Sequence, residues 1–370
     1  MKNKRIIISG GGTGGHIFPA ISIANAVKSK CPDASILFVG ADKRMEMERV
    51  PAAGYKIVGL PVRGFNRSNP LSNIRTLIDL LRSMIKARGI ILDFKPDVAV
   101  GVGGYASGPL LRAAASMGVP TLIQEQNSYA GVTNKLLAAK AAKICVAYTD
   151  MERFFPKEKI LLTGNPVRQD LVAREDLRPE AMQHYHLNPD KKTLLIVGGS
   201  LGARTLNESV LMGLDTLEAE KNLQVIWQTG NYYYKDMLRQ IGERKLKNVQ
   251  VLEFIQHMNL AYAAADLIIS RAGASSISEF CLLKKAVILV PSPNVAEDHQ
   301  TRNAMALVRE DAAIMVPDNE ARPRLISEAL QLINIPERLN TLSSNVFKLA
   351  QFDSAGRIAD EILKLIPQTN

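Results

Sequence analysis

Gly10-Gly11-Gly12-Thr13-Gly14-Gly15-His16 follows the apolar run Ile6-Ile7-Ile8 after Ser9, and Gly198-Gly199-Ser200-Leu201-Gly202-Ala203-Arg204 follows directly on Leu194-Leu195-Ile196-Val197. A short buried strand that runs into a glycine turn opening a helix is a phosphate-binding device. The glycines let the backbone approach a ligand, and the helix start offers unpaired N–H groups and a partial positive charge. Two copies, at Gly10 and Gly198, predict an α/β protein of two Rossmann-like domains, with parallel sheets facing a cleft.

The bulk properties agree. A chain of 370 residues is long for one core, and 46% apolar residues is an ordinary globular composition. Three scattered cysteines (Cys31, Cys145, Cys281), with no CxxC pair or His/Cys cluster, point to neither a disulfide framework nor a zinc site, and fit a reduced cytosolic compartment. No run of 18 apolar residues predicts a membrane span, and the apolar run after Lys2, Lys4 and Arg5 is too short for a signal peptide. Charge is unevenly placed. Residues 1–165 hold 23 Lys/Arg against 11 Asp/Glu, whereas residues 166–370 hold 23 against 25. A basic half-molecule attracts nucleic acid, anionic lipid or an anionic substrate. Nucleic acid is disfavoured, because no nucleic-acid motif occurs and aromatics are only 5%.

Strand and helix signals alternate along the chain. Strands are expected at 5–9, 35–39, 56–60, 97–101, 120–123 and 143–147, with helices at 17–30, 44–53, 71–92, 107–117 and 131–140. The second half repeats this, with strands at 193–197, 223–228, 249–252, 266–269, 286–290 and 313–316, and helices at 202–218, 232–241, 257–264, 275–283, 299–309 and 321–333. Such alternation argues for parallel sheets covered on both faces. Thr163-Gly164-Asn165-Pro166-Val167-Arg168 has linker punctuation and divides the chain into 1–165 and 166–349, while 339–366 reads as one or two helices. Within 62–92, Leu71, Ile74, Leu77, Ile78, Leu81 and Ile85 share one helical face, beside Arg75, Arg82, Lys86 and Arg88. That pattern suits a helix lying on an anionic membrane, or a core-facing helix with a solvated charged side.

Several loops carry candidate chemistry. Gly10, Gly12 and Gly15 match GxGxxG, the dinucleotide fingerprint, but the next strand ends Phe38-Val39-Gly40 with no good ribose acid, Asp42 being a poor candidate. His16 at the helix start is a hydrogen-bonding residue of the loop, or a general base kept neutral by the local positive field. Gly101-Val102-Gly103-Gly104-Tyr105-Ala106-Ser107-Gly108-Pro109 and Gln124-Glu125-Gln126-Asn127 also follow strands. In the second half, Ser270 to Phe280 places small and hydroxyl residues at a helix start, with Glu279 one turn in. This glutamate reads as a ribose ligand or as a first-turn acid favourable to the helix dipole. Glu297-Asp298-His299-Gln300 is a further polar loop after a strand.

Taken in order, these loops resemble the MurG family of bacterial glycosyltransferases, which build peptidoglycan. The resemblance runs over nearly the whole chain. It rests on Gly11 to His16, Gly103 to Pro109, Glu125-Gln126-Asn127, Gly164 to Arg168, Gly198 to Ala203, Arg271 to Glu279 and Asp298-His299-Gln300. It implies a GT-B fold whose last helix, within 350–370, returns to the first domain. The implied activity is inverting transfer of GlcNAc from UDP-GlcNAc to the C4 hydroxyl of the muramoyl sugar of lipid I, giving lipid II and UDP with no cofactor and no metal. Implied donor contacts are Ile255 to uracil through its backbone, Glu279 to the ribose, and Ala274, Ser275, Ser276 and Ser200 with Arg168 at the diphosphate. Gln300 and Asn127 would touch the GlcNAc. Thr13, Gly14 and Gly15 are implied near the diphosphates, and with Gly104 and Tyr105 they line the acceptor side. His16 is the first candidate base and Glu125 the second. Where some members have a further glutamine after Gln300, this chain has Thr301. The implied location is peripheral, on the cytoplasmic face of the inner membrane, with an anionic membrane surface and cell-wall synthesis and division proteins as partners. Alternatives from the residues are a UDP-GlcNAc 2-epimerase or glycolipid transferase of the same fold, a nicotinamide oxidoreductase, and a non-catalytic nucleotide-binding scaffold.

Overall fold

The computed structural model describes residues 3–63, 73–167 and 177–367. The chain divides into two compact units, Met1–Arg168 with Gln351–Asn370, and Gln169–Ala350.

Unit 1 is built on a seven-stranded parallel sheet ordered β3-β2-β1-β4-β5-β6-β7. The strands are β1 (Arg5–Ser9), β2 (Ser35–Ala41), β3 (Lys56–Leu60), β4 (Val98–Gly101), β5 (Thr121–Glu125), β6 (Lys143–Val146) and β7 (Ile160–Leu162). Ile6, Ile7 and Ile8 are fully buried because each faces a helical layer. Ile6 and Ile8 pack with Ile17, Ile23 and Val27 of α1 (Gly14–Lys30), and Ile7 packs with Leu110 and Leu111 of α4 (Ser107–Ser116) on the opposite face. A central strand buried on both faces reads as a continuous apolar run, which is why it shows no alternation. The same α1 face takes Ala355, Ile358 and Ile362 of the last helix, α15 (Ser354–Lys364). Arg357 fixes that helix by donating to the Leu162 carbonyl at 2.6 Å.

Unit 2 repeats the plan with six parallel strands ordered β10-β9-β8-β11-β12-β13. They are β8 (Lys192–Val197), β9 (Leu223–Gln228), β10 (Val249–Leu252), β11 (Leu267–Ser270), β12 (Val287–Leu289) and β13 (Ile314–Met315). Trp227 is fully buried and donates its indole N–H to Asn207 at 3.0 Å.

Departures from expectation have local causes. α1 begins at Gly14, three residues before the expected start, because Thr13 adopts the extended N-cap conformation. The expected helix over 202–218 is two, α7 (Arg204–Met212) and α8 (Leu214–Ala219). At the break between them, a Cβ on Gly213 would meet Ile326 at 2.8 Å. Strand β7 and the short helix α6 (Arg178–His184) were not anticipated. The tail forms two helices, α14 (Pro336–Lys348) and α15.

Helix α3 (Asn73–Phe94) settles which of its faces is buried. Thr76, Ser83, Ala87 and Ile91 point inward, whereas Leu77, Ile78, Leu81, Ile85 and Leu92 are exposed, Ile85 to 73%. The more apolar stripe therefore faces outward, and the core-facing reading of that stripe is corrected. Small and hydroxyl side chains serve α3 inside because they allow close approach to its neighbours. Leu71 and the loop residues 64–67 lie outside the described residues.

Candidate active site

In each parallel sheet the strand order reverses at one place, between β1 and β4 and between β8 and β11. Loops at the carboxyl ends of those strands form the crevice where α/β ligands bind. Both glycine turns sit there.

In unit 1, the Thr13 carbonyl accepts the N–H groups of His16 and Ile17 at 3.1 and 3.2 Å. The Thr13 hydroxyl lies 3.3 Å from His16 Nδ1. The imidazole backs onto the β4 loop so closely that a Cβ on Gly103 would lie 2.4 Å from its Cδ2. Gly104 stands over the first turn in the same way, its notional Cβ 2.3 Å from the Gly11 carbonyl oxygen, and both glycines have positive φ. The structure thus gathers Thr13, Gly14, Gly15, His16 and Gly104, with Tyr105 next in the chain and 53% exposed. Ser107 joins the two strand ends by donating to the carbonyls of Ser9 and Gly103 at 3.1 and 2.8 Å.

Glu125 is placed differently from a base that meets substrate. It is 3% exposed. Oε1 accepts from the backbone and side-chain nitrogens of Asn127 at 3.0 and 3.3 Å, and Oε2 from Gly131 N–H and Asn134 Nδ2 at 3.0 and 2.8 Å. Burial raises its pKa, opposed by these donors. The geometry makes Glu125 the clamp of the 125–134 loop, and Asn127 is held by that clamp.

In unit 2, Gly202 and Gly230 interlock: a Cβ on Gly202 would lie 1.9 Å from the Thr229 carbonyl, and one on Gly230 2.1 Å from Gly202 N. Ser200 on this turn is exposed. The β11 loop ends at Gly273, the extended N-cap of α11 (Ala274–Leu282). Ala274, Ser275 and Ser276 therefore form the first turn, at the amide end of the helix. Glu279 accepts the Tyr262 hydroxyl at 2.7 Å, which fixes the carboxylate. The Ile255 N–H donates to Gln228 Oε1 at 3.2 Å, which ties this segment to the end of β9. At α12 (His299–Val308), Gln300 Oε1 accepts the Ser292 N–H at 2.8 Å, directing the amide nitrogen as the end that can donate to a sugar. Thr301 instead donates to Asp298 at 2.7 Å. Glu297 and Asp298 both hold positive φ, a strained backbone of the kind that gathers at functional loops. Arg168 lies outside the described residues. Arg271 is committed to the Val290 carbonyl and to Asp318.

Three supporting residues escaped sequence reasoning. Glu46 accepts from Gly12 and Ala41. Gln228 donates to the Gly199 carbonyl at 2.8 Å while accepting from Ile255. Asn207 ties α7 to the Thr229 carbonyl at 2.9 Å. For Gln228 the available signal was a polar residue closing an otherwise buried strand.

Residues 6–146 match the glycosyltransferase family 28 N-terminal domain, and residues 193–358 match the glycosyltransferase family 28 C-terminal domain. The chain belongs to glycosyltransferase family 28. Within the family, it is 62% identical over 366 residues to a protein of Parabacteroides distasonis, covering 99% of each chain. That protein is named UDP-N-acetylglucosamine–N-acetylmuramyl-(pentapeptide) pyrophosphoryl-undecaprenol N-acetylglucosamine transferase. The crystal structure of Acinetobacter baumannii MurG superposes with a TM-score of 0.80 at 28% identity, covering 98% of this chain and 99% of that one. A Neisseria meningitidis UDP-GlcNAc 2-epimerase shares the fold at a TM-score of 0.67, with 15% identity over 98% of this chain and all of that one.

Proposed function

We propose that this family 28 enzyme transfers GlcNAc from UDP-GlcNAc to the C4 hydroxyl of the muramoyl-pentapeptide sugar of lipid I, with inversion, giving lipid II and UDP. The observation that carries the reading is the pair of glycine turns at the two sheet reversals, differently equipped. Unit 1's turn carries a histidine and packs under the Gly104 loop, whereas unit 2's lies beside the β11 loop, which leads into a hydroxyl-rich helix start with a fixed carboxylate. Near-full-length identity to named transferases of this reaction supports it.

Unit 2 takes the donor. The amides at the starts of α7 and α11, with Ser200, Ser275 and Ser276, face the diphosphate, and Glu279 accepts the ribose hydroxyls. The Ile255 carbonyl accepts from uracil, while Gln300 donates to the sugar. Unit 1 takes the acceptor at Thr13, Gly14, Gly15, Gly104 and Tyr105. In the single displacement, His16 accepts the proton of the C4 hydroxyl as its oxygen bonds to the anomeric carbon. The bond from that carbon to the UDP oxygen breaks, and UDP leaves with the electron pair. Helix N-termini stabilise charge that develops on the leaving diphosphate.

The exposed Leu77, Ile78, Leu81 and Ile85, with exposed Arg82, Lys86 and Arg88 on the same helix, form the surface proposed to rest on anionic lipid at the cytoplasmic face of the membrane. Apolar side chains rimmed by cations suit that interface. Among the described residues no helix is long and apolar enough to cross a membrane. The decisive test is transfer of labelled GlcNAc from UDP-GlcNAc to a lipid I analogue, with and without EDTA. Transfer that survives EDTA supports the reading, and UDP-GlcNAc binding without transfer refutes the acceptor assignment.

A further inference from the structure

Glu46 opens α2 (Glu46–Ala52) and is fully buried, although it is a carboxylate. Its partners are backbone amides: Oε2 accepts the Gly12 N–H at 3.0 Å and Oε1 the Ala41 N–H at 2.9 Å. The fit is close on both sides. A Cβ on Gly11 would lie 2.1 Å from Oε1, and one on Gly40 2.5 Å from Cγ. Two glycines, one on the first glycine turn and one near the end of β2, are thus needed to admit this one side chain.

The Gly12 amide is the kind of group that a phosphate takes on a glycine-rich turn. In unit 1 a carboxylate of the chain already holds it. In unit 2 the side chain reaching the corresponding turn is Gln228, and it donates to the Gly199 carbonyl rather than accepting from an amide. The two turns are alike in sequence and opposite in how their backbone is engaged.

We propose that Glu46 is a built-in anion for the first glycine turn: it occupies the place a nucleotide phosphate would take on Gly12, and so fixes the Gly11–His16 segment for the acceptor. It is a positioning and specificity residue, acting through the loop that carries His16. The proposal rests on the reading of unit 1 as the acceptor side. It accounts for a fingerprint match at Gly10, Gly12 and Gly15 in a unit that does not take the nucleotide.

An anion-shaped vacancy tests it. Glu46→Ala is expected to melt at least about 4 °C below wild type, the shift that about 1–2 kcal/mol produces in a domain of this size. Sodium formate should restore at least half of that loss, whereas sodium chloride at equal ionic strength should not, and neither should move the wild type selectively. In the transfer assay Glu46→Ala should lose at least about tenfold in kcat, recovered by formate, with the KM for UDP-GlcNAc within twofold of wild type. Glu46→Gln keeps one accepting oxygen but sets an NH2 against the second amide. It should fold, lose kcat with unchanged donor KM, and ignore formate; should the alanine variant fail to fold, this split decides. Formate no better than chloride on Glu46→Ala, wild-type kcat in Glu46→Gln, or a raised donor KM at unchanged kcat overturns the proposal. The melting readout needs no substrate, and wild-type transfer tests the functional reading separately.

Discussion

Gly12 and Gly104 allow steric overlap to be separated from backbone strain, because both have φ of 87°. A Cβ at Gly12 meets nothing within 4 Å, whereas one at Gly104 lies 2.3 Å from the Gly11 carbonyl oxygen. Alanine at either position incurs the left-handed cost of about 1–2 kcal/mol. Only Gly104→Ala must also part the two loops, by about 0.7 Å to reach the 3.0 Å that real Cβ contacts respect. Overpacking of that kind costs about 1–3 kcal/mol more. Gly12→Ala should therefore melt roughly 2–8 °C below wild type, and Gly104→Ala several degrees lower again. The same displacement moves the backbone against which His16 is seated. A misplacement near 1 Å costs about a hundredfold in rate, so kcat/KM should fall about a hundredfold in Gly104→Ala and less than about tenfold in Gly12→Ala. Transfer kinetics and thermal unfolding on both variants provide the comparison. If Gly104→Ala retains activity within about threefold of Gly12→Ala, loop apposition does not set the site and the reasoning fails.

Three further outcomes are expected. His16→Ala should lower turnover by at least about tenfold with UDP binding intact; near-normal turnover in the folded variant removes His16 as the base. Glu279→Ala should raise the donor KM about tenfold or more with a smaller change in kcat, the pattern of a lost ground-state contact, and an unchanged KM would exclude the ribose role. Lys285 bears on pH: burial, reinforced by Arg178 and opposed by Asp266, pushes its pKa down from 10.5 to about 8. The unfolded chain therefore holds this proton to higher pH, so the residue costs stability below about pH 8 and ceases to do so above about 10.5. Lys285→Met should be the more stable at pH 7, by up to about 2 kcal/mol once the lost bond to the Ala265 carbonyl is deducted. Urea midpoints at pH 7 and pH 10 should show that advantage shrinking, and a constant gap would contradict the assignment.

Where local pattern decides structure, sequence reasoning reached the residue. The strands Arg5–Ser9, Lys56–Leu60 and Leu223–Gln228 are largely apolar runs closed by Gly10, Pro61 and Thr229-Gly230, and Val249–Leu252 was likewise reached from its valines and leucine. It failed where tertiary contact decides. Gly14 and Gly15 have low helix propensity, yet the Thr13 carbonyl draws them into α1. Ile160–Leu162 is too short to announce a strand and exists because β6 pairs with it. Periodicity found both stripes of α3 but carries no information about which one meets the sheet. The loops of the site were visible because glycines and hydroxyls mark them. Their supports were harder to see: Glu46 reaches Gly12 across 34 residues and Gln228 reaches Gly199 across 29; nothing local distinguishes Glu46 from a surface acid, and Gln228 shows only as a polar residue closing a buried strand.

The return of α15 to unit 1 bears on how the protein is made. Arg357 meets the Leu162 carbonyl across 195 residues, and Ala355, Ile358 and Ile362 cover Ile17 and Ile23. During synthesis at about 5–20 residues per second, that face of α1 waits roughly 17–70 s for its cover. Unit 2 is continuous in the chain, so its core needs no segment from outside its own span, whereas the core of unit 1, translated first, does. The nascent first half is thus the part that a holding chaperone would need to shield, and a ribosome stalled before Ser354 would leave it with an open apolar face.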